Sequence, residues 1–554
     1  MTYRAPVKDI AFALKVVGFD AVAEAHGGVD QDLTDAVIEG AGQLAEGVLA
    51  PLNRVGDQVG ARMENGRAIA PPGFKDAYRQ FAQGGWTGLI ADEAWGGQAL
   101  PKALSLAVFE TFHSANMGFS LCPTLSEGAM EALSAHGSEE LKTLYLPKIV
   151  SGEWPATMNL TEPQAGTDLG LVRTQATPDG EGGYRLTGEK IFITWGDHDL
   201  SDNIVHLVLA RLPDAPAGVK GISLFVAPAV KANGERNALR AGSLEHKLGI
   251  HASPTCVMLF EGAQAQLVGQ LGQGLAHMFT MMNAARLNVG MQGVGIAERA
   301  YQRALAYARD RRQSRSVWTG EAPAPIFDHP DIRRRLMLTK AKIEAARMIC
   351  LGCAVAADLG HRGDAAAALR AEMLTPIAKA WSTELGVEAA SEGVQIHGGM
   401  GFIEETGAAQ HYRDARIAPI YEGTNAIQAL DLAGRKLGMA DGAGMKALCA
   451  EIAGGLARFD PALHEALRSG VAALETATAW MIERRGTADG MAGAWPYLML
   501  AGDVVGGWML ARAAAADPER LGLARLYADY VLAAAPARLA AVRSGAGLLE
   551  TWRG

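Results

Sequence analysis

Two short stretches, QIHGGMGF at 395–402 and RDARIAPIYEGTNAIQ at 413–428, decide how the rest of the chain is interpreted. Each is weak when taken alone. Glu422 is an acidic residue in a turn, and Thr424 or Asn425 can cap the helix that the following residues predict. Segments elsewhere in the chain must therefore show whether Glu422 is an ordinary loop residue or a reactive carboxylate.

The pattern around these stretches changes twice along the chain. Spacings of three and four between apolar residues predict helices at 275–312, 331–359 and 364–393, and a shorter helix after Glu422. Segments rich in β-branched and aromatic residues predict strands at 184–194, 203–212, 221–230 and 256–262. Runs of helices and runs of strands, rather than alternation, argue against a βαβ sheet. We predict an N-terminal arm at 1–35, a helical domain at 36–153, a β domain at 154–271, a helical bundle at 272–440 and a helical extension at 441–554.

Composition excludes several classes of protein. The 554 residues carry 51 Lys and Arg against 60 Asp and Glu, a net charge of −9, which disfavours nucleic acid as the main ligand. Five Cys residues do not suit a disulfide framework. The first 20 residues include Asp9, Lys15 and Asp20 and do not match a signal or transit peptide. Without a run of 18 apolar residues, we expect a cytoplasmic protein that does not contact a membrane.

Nothing else in the sequence indicates a catalytic motif of a common type. There is no Walker loop, HExxH or GxSxG. Cys350 and Cys353 lie in a helical pattern with no second pair of ligands nearby, so we interpret them as core residues and predict no metal site. The glycines at 290, 293 and 295 follow no predicted strand and indicate close helix packing. The basic runs at 309–315 and 333–335 are typical of solvated helix faces or ends.

Four further segments of the chain help to interpret the turn at Glu422. They are MNLTEPQAGTDLG (158–170), GEKIFITWG (188–196), RLNVGMQGVGIAERA (286–300) and YARDRRQ (307–313). With the two stretches quoted first, in this order and spacing, they resemble the acyl-CoA dehydrogenase family over about residues 36–440. The resemblance implies a mainly α fold with a central β domain: a helical domain, a small β-barrel-like domain and a helical bundle. Here a C-terminal helical extension is added. It also implies FAD as the cofactor.

The implied reaction converts an acyl-CoA thioester to its trans-2-enoyl form. A proton leaves Cα and a hydride leaves Cβ for flavin N5, so a positioned base and stabilisation of the enolate are both required. By resemblance the base is Glu422. Its backbone N–H, with a flavin ribityl hydroxyl, would hold the thioester oxygen, and Gly423 would let the backbone approach. Burial beside the flavin would raise the pKa of Glu422.

The resemblance also assigns contacts to FAD. Thr161 would meet the pyrimidine edge of the flavin, Phe192 would shield the ring and Thr194 would reach N5. Arg311 and Gln313 would bind the pyrophosphate of a neighbouring subunit, for which the forked guanidinium of an Arg is suited. The remaining positions assigned to the cofactor are Met158, Leu160, Gln395, Gly398, Gly399 and Thr424. Because FAD would be shared between subunits, a homo-oligomer is implied, with a dimer favoured.

The substrate contacts follow in the same way. Arg286 would lie next to the acyl-CoA, and Thr167 near its pantetheine. Asn283 stands where many relatives carry Asp and brings no charge to that contact. Met282 either lines the acyl pocket or fills the core, since Met serves both purposes.

Two features point to the long-form branch of the family: the extension of about 110 residues and the insertion SRSVWTGEAPAPIFDHP at 314–330. The branch includes enzymes for 3-(methylthio)propanoyl-CoA, which is the substrate we expect, and enzymes for straight acyl chains. Electron-transfer flavoprotein is the expected electron acceptor. An acyl-CoA oxidase stays open as an alternative, and so does a DNA-binding relative, although the net charge opposes it.

Overall fold

The computed structural model describes residues 3–554 of the chain. Helices fill the first part up to Val150, as the pattern at 36–153 predicts. One short hairpin in this part was not predicted, because strands of three residues are too short to show a period of two. The elements are α1 (Val7–Val17), α2 (Phe19–His26), α3 (Gln31–Leu44), α4 (Ala50–Val59), β1 (Arg62–Glu64), β2 (Arg67–Ile69), α5 (Phe74–Gln83), α6 (Lys102–Ala115), α7 (Met117–His136) and α8 (Glu139–Val150).

The segment predicted as an N-terminal arm is helical. In α1, Ile10 and Leu14 are buried, and Gly18 ends the helix in the left-handed conformation. Asp9, on the same helix, accepts a hydrogen bond from Lys340 at 2.6 Å. This segment is therefore packed against later parts of the chain.

A sheet of seven strands follows. Its strands are β3 (Ala156–Asn159), β4 (Gln175–Pro178), β5 (Tyr184–Thr194), β6 (Val205–Arg211), β7 (Ile222–Pro228), β8 (Leu239–Leu244) and β9 (Thr255–Val268). The four predicted strands correspond to β5, β6, β7 and β9. Pairing runs β6–β4–β5–β9–β7, and β7 pairs again with β6, so the strands close on themselves. The predicted barrel-like β domain is confirmed, with side chains such as Leu186, Val208, Phe225 and Phe260 inside it.

Helices return after the barrel and continue to the end of the chain, which confirms the predicted mainly α class. They are α9 (Gly274–Asp310), α10 (Pro330–His361), α11 (Ala365–His397), α12 (Ala408–Ala415), α13 (Asn425–Asp431), α14 (Ala443–Gly455), α15 (Pro461–Glu483), α16 (Ala488–Ala516), α17 (Leu521–Tyr530), α18 (Ala535–Val542) and α19 (Gly547–Thr551). A π-helical turn, Leu432–Lys436, extends α13.

The glycines of α9 confirm the predicted close packing. A Cβ on Gly293 would lie 2.2 Å from the Ser382 carbonyl oxygen of α11, and one on Gly290 would lie 2.7 Å from that of Ala378. Backbone contact as close as that at Gly290 and Gly293 is possible only for residues without a side chain.

Cys350 and Cys353 are buried in α10, as predicted for core residues.

The described residues group into two compact units. The helical unit contains the described residues up to Gly42, with Pro101–Ser114 and Arg286–Gly554. The β-containing unit consists of Gln43–Leu100 and Ala115–Ala285. This grouping follows contacts rather than chain order, and the division into an arm and four domains stays a prediction.

Within the helical unit, the C-terminal extension packs on the bundle through α16. Trp381 of α11 donates a hydrogen bond to Asp503 of α16 at 3.0 Å, and Asp503 also pairs with Arg538. Helix α16 is long and apolar enough to cross a membrane, but 83% of its most apolar window is buried inside the protein. Its sequence is therefore explained by its place in the core.

Candidate active site

Glu422 lies in a strained turn that leads into α13. Its φ is 55°, a conformation uncommon for a residue with a side chain, and Gly423 follows with a φ of 82°. The turn is closed by a hydrogen bond from the Asn425 N–H to the Pro419 carbonyl at 2.9 Å. Of the two residues predicted as possible caps, Thr424 is the one that caps α13, by accepting from the Ile427 N–H at 3.3 Å. Held in this way, the turn fixes the direction of the Glu422 side chain.

The environment of Glu422 suits a general base. The residue is half-buried, and desolvation raises the pKa of its carboxyl to about 7, against the opposing effect of the positive charges of Arg286 and Lys379. A base is most effective when its pKa lies near the working pH. The predicted rise of this pKa by burial is thus present in the folded chain.

Lys379 is a residue of this site that sequence analysis missed. It is fully buried in α11, and its Nζ donates to the Ala418 carbonyl at 2.9 Å and to Asn425 Oδ1 at 2.8 Å. Burial lowers the pKa of Lys379 to about 7, although Glu422 and Glu384 favour its charge. Its sequence surroundings are those of an ordinary helix, so only the fold reveals that it supports the turn.

Arg286 is buried near the start of the bundle part of α9. Its guanidinium lies 3.9 Å from the Asp431 carboxylate, and burial lowers the pKa of Arg286. Arg435, to which sequence analysis gave no role, is exposed and pairs with the same Asp431 at 2.7 Å. The structure therefore brings Arg286 together with Glu422, Gly423 and Thr424 in the helical unit.

In the β-containing unit, two of the segments assigned to the flavin ring are joined by a backbone hydrogen bond. The Ile191 N–H donates to the Thr161 carbonyl at 2.9 Å, which ties the loop after β3 to a bulge in β5. At the bulge Phe192 has a φ of 61° and is 58% exposed. Thr161 and Thr194 are half-buried, Met158 is half-buried and Leu160 is buried, whereas Thr167 is exposed further along the loop.

A buried ion pair between β5 and the loop after β3 was also missed. Lys190 donates to Glu162 at 2.7 Å and to the Leu160 carbonyl at 3.0 Å, and both charged side chains are buried. Glu162 also accepts from the Thr174 hydroxyl at 2.6 Å, and its pKa is lowered to about 2: the pairing with Lys190 and these hydrogen bonds outweigh the desolvation. Glu162 lies within the quoted segment at 158–170. The sequence pattern does not show whether such a residue contacts the cofactor or only stabilises the loop that does.

The other assigned residues lie at several places. Arg311 and Gln313 are exposed and 3.3 Å apart through a hydrogen bond between their side chains. Gln395, Gly398 and Gly399 are exposed at the end of α11, where a Cβ on either glycine would meet no atom within 4 Å. Met282 belongs to an apolar core cluster of the β-containing unit, and Asn283 is exposed. Among residues 3–554, no group of three or more His, Cys, Asp and Glu is placed to hold a metal ion.

Four family profiles match successive parts of the chain. They are described as the N-terminal domain (residues 36–153), middle domain (157–263) and C-terminal domain (272–437) of acyl-CoA dehydrogenase, and as "Acetyl-CoA dehydrogenase C-terminal like" (443–551). The fourth profile covers most of the extension.

Individual proteins resemble almost the whole chain. It is 48% identical to a 3-methylmercaptopropionyl-CoA dehydrogenase of Ruegeria pomeroyi, covering 94% of this chain and 92% of that one. It is 35% identical to a butyryl-CoA dehydrogenase of Syntrophomonas wolfei, over 84% and 80% of the two chains. Among solved structures, Caenorhabditis elegans ACDH-11, in complex with C11-CoA, has a TM-score of 0.84 at 20% identity over 96% and 92%.

Proposed function

The chain belongs to the acyl-CoA dehydrogenase family of FAD-dependent oxidoreductases, and from this premise we propose that it oxidises 3-(methylthio)propanoyl-CoA to the trans-2-enoyl thioester. The observation that supports the reaction is the pKa of about 7 of Glu422, in a turn whose geometry is set by Asn425 and Lys379. The 48% identity over 94% of the chain supports the choice of acyl group.

In this proposal Glu422 takes the proton from Cα. The backbone N–H of Glu422 holds the thioester oxygen, and the absence of a side chain at Gly423 gives the thioester room. The charges of Arg286 and Lys379 stabilise the carboxylate form of Glu422 and limit the effect of desolvation. Because these charges oppose the rise of the Glu422 pKa, a substantial fraction of Glu422 is ionised near neutral pH.

FAD is the family's cofactor, and the residues present fit it. Within residues 3–554 neither the Thr161 nor the Thr194 hydroxyl hydrogen-bonds to the protein, and Phe192, at the bulge in β5, is exposed. Two free hydroxyls beside an exposed aromatic ring suit the polar edge and the face of a flavin. When bound, FAD would supply the acceptor for the hydride that leaves Cβ. We assign Met158 and Leu160 to the same surface through their backbones.

The rest of the cofactor and the substrate are assigned by position. Arg311 and Gln313 bind the pyrophosphate, Gln395, Gly398 and Gly399 meet the adenosine end, and Thr424 contacts the cofactor near the base. Thr167 and Asn283 hold the pantetheine, Arg286 lies beside the acyl-CoA, and Met282 lines the acyl pocket at the edge of the apolar cluster.

The test is an anaerobic absorption titration of the purified protein with three CoA thioesters: a short straight chain, a long straight chain and 3-(methylthio)propanoyl. Bleaching of the flavin band by the sulfur-containing thioester at the lowest concentration is the expected result. Equal or better bleaching by a straight chain would refute the proposed acyl group while keeping the reaction. Rapid reoxidation of the bleached enzyme in air would indicate an oxidase.

The same proposal includes partners and assembly. Electron-transfer flavoprotein reoxidises the enzyme, the protein is a cytoplasmic homodimer, and neither nucleic acid nor a membrane is a partner. We expect Arg311→Ala to lower FAD occupancy, because the exposed guanidinium, which donates one hydrogen bond to Gln313, has further N–H groups that can bind phosphate oxygens. Arg185→Gln, at another exposed Arg, is the control. Full flavin occupancy in Arg311→Ala, at unchanged affinity for FAD, would contradict the phosphate role.

Light scattering would measure the oligomeric state, and a monomer would contradict the proposed homodimer.

A further inference from the structure

The π-helical turn Leu432–Lys436 directly follows α13, the helix that begins at the turn of Glu422. Such turns are rare and are found frequently at functional sites. This one adds Arg435 and Lys436 to Asp431, the last residue of α13. Charged side chains are therefore gathered at this end of the helix.

Asp431 connects an exposed cation with a buried one. Its carboxylate accepts hydrogen bonds from Arg435 Nε at 2.7 Å and Nη2 at 3.1 Å. Its Oδ2 also lies 3.9 Å from Nη1 of Arg286. The side chain of Arg435 is 56% exposed and that of Arg286 is 8% exposed. The interaction of Asp431 with Arg286 is therefore the less screened of the two.

The guanidinium of Arg286 reaches both Asp431 and the turn of Glu422. Its Nη2 lies 3.9 Å from the position that a Cβ on Gly423 would take. Among residues 3–554, however, no basic side chain lies within 4.0 Å of the Glu422 carboxylate. Arg286 is thus beside the turn without forming an ion pair with Glu422.

Two carboxylates share the charge of Arg286. Burial lowers the pKa of Arg286, and this lowering is opposed first by Asp431 and then by Glu422. An opposite charge in direct contact lowers the pKa of a carboxyl by about 1–3. A direct ion pair with Arg286 would therefore weaken Glu422 as a base.

Other charged and titratable groups surround the site. They are Lys379, Glu384 and Glu372 of α11, Arg435 and Lys436 of the π-helical turn, and Tyr421 next to Glu422. Glu372 pairs with Lys436. Asp503 of α16, a helix that also packs on α13, pairs with Arg538. Asp431 is therefore the acidic side chain that holds the guanidinium beside the turn.

We propose that Asp431 is a positioning residue of the reaction: it holds the Arg286 guanidinium beside the turn and keeps it from pairing directly with the Glu422 carboxylate. Arg435 moderates this effect, because it shares the carboxylate of Asp431. The inference rests on the proposed function, in which Glu422 is the base.

The test is the pH dependence of kcat/KM for flavin reduction in the FAD-loaded enzyme, measured anaerobically by stopped-flow absorbance with the thioester that bleaches the flavin best. Asp431→Asn keeps the shape of the side chain and removes its charge. The midpoint of the profile should move by about one pH unit or more to lower pH, because Arg286 is then left with Glu422 as its carboxylate.

Asp331→Asn is the matched control. Asp331 pairs with Arg335 at 2.8 Å, four residues later in the chain. This is the spacing of the Asp431–Arg435 pair, but Asp331 begins α10 and is not among the groups that act on Glu422. Its replacement should leave the midpoint in place.

Arg435→Gln gives a prediction of opposite sign. Without Arg435, the Asp431 carboxylate acts on Arg286 alone, and one positive charge near the site is lost. The midpoint should therefore move to higher pH. Because Arg435 is exposed, its replacement leaves the interior intact, and this variant decides the question even if Asp431→Asn does not fold.

An unchanged midpoint in Asp431→Asn, or a shift to higher pH, would overturn the inference, and so would an equal shift in Asp331→Asn. Any result in Arg435→Gln other than a shift to higher pH would also overturn it. A loss of stability without a shift would mean that Asp431 has only a structural role. If Glu422→Gln still reduces the flavin at the unchanged rate, the proposed function fails and this inference fails with it. If Glu422→Gln is inactive and Asp431→Asn keeps its midpoint, only this inference fails.

Discussion

A desolvated carboxylate with a raised pKa lowers the stability of the folded protein when it is ionised. At Glu422 this loss is reduced by the positive charges of Arg286 and Lys379. Arg286 and Lys379 act on it from two helices, α9 and α11. The pKa of Lys379 is itself lowered to about 7, first by burial, so Lys379 and Glu422 titrate in the same pH range. Apparent pKa values measured for this site therefore belong to the pair of groups.

Glu422→Gln should keep bound FAD and lower the rate of flavin reduction by at least about 10²-fold, because the amide cannot take the proton. In the unchanged enzyme kcat/KM should rise with pH through about 7, as the base loses its proton. Stopped-flow absorbance measures both. Flavin reduction at an unchanged rate in the Gln variant would contradict the assignment of the base.

The raised pKa also predicts how Glu422 affects stability. Between its ordinary pKa and about 7 the native state binds more protons at Glu422 than the unfolded state, so the residue costs stability as the pH rises through this window. Glu422→Gln should therefore unfold at a higher urea concentration than the unchanged protein above pH about 7, and at a similar one below pH about 4. Equal midpoints at every pH would show that the carboxyl is not desolvated.

Lys379→Met should shift the kcat/KM profile to higher pH, since one of the two cations that favour the Glu422 carboxylate is lost. The variant should also be less stable, because Ala418 and Asn425 lose their partner. Lys342→Met removes a charge that pairs with Glu388 and should leave the profile in place. A loss of stability without a shift of the profile would mean that Lys379 has only a structural role.

At the scale of helices, the spacing of glycines in α9 sets how close it comes to α11. Gly293 faces the Ser382 carbonyl oxygen and Gly386 lies opposite, with its Cβ position 3.0 Å from the Gly293 carbonyl oxygen. Because both sides of this contact are backbone, neither can move aside independently. Arg286 and Lys379 stand on these same two helices, so the contact also sets the positions of two charges in the site.

Gly293→Ala should lower the free energy of unfolding by about 1–3 kcal/mol, the usual cost of overfilling a packed interior. The effect should be at the upper end, because the clash is with a carbonyl oxygen. Gly454→Ala in α14 is a matched control, since its Cβ would meet no atom within 4 Å, and should leave stability equal or slightly higher. Urea denaturation measures both variants; equal midpoints would show that the two helices separate at little cost.

For the molecule as a whole, the extension adds polar as well as apolar contacts to the bundle. Arg520 in the extension pairs with Asp9 at 3.0 Å and with Glu344 at 2.9 Å, which links three distant parts of the chain. Deeper in the helical unit, buried Arg347 pairs with Glu110 at 2.6 Å and with Glu298 at 3.1 Å. Residues that are far apart in sequence therefore depend on one another for their charge balance.

Asp503→Ala should destabilise the protein by roughly 3–5 kcal/mol, the cost of breaking a buried pair by removing one partner. The side chain is buried, and both the Trp381 N–H and the Arg538 guanidinium would lose their acceptor. Glu465→Ala removes an exposed carboxylate that pairs with Arg468 and should cost under about 1 kcal/mol. Thermal unfolding compares the two; similar small losses would show that water replaces Asp503.

The amino-acid pattern alone was enough for the order of helical and β regions, the long helices and four of the strands. These features have local causes, namely apolar periodicity and β-branched runs. The barrel-like β domain and the role of Glu422 were implied by the resemblance to the acyl-CoA dehydrogenase family. Only the tertiary structure revealed the buried Lys379, the Glu162–Lys190 pair and the hairpin at Arg62–Ile69. Each depends on desolvation or on partners supplied from elsewhere in the chain, and a buried Lys has the same spacing and neighbours in sequence as an exposed one. Local forces thus select the elements, whereas burial and charge pairing decide which residues become functional.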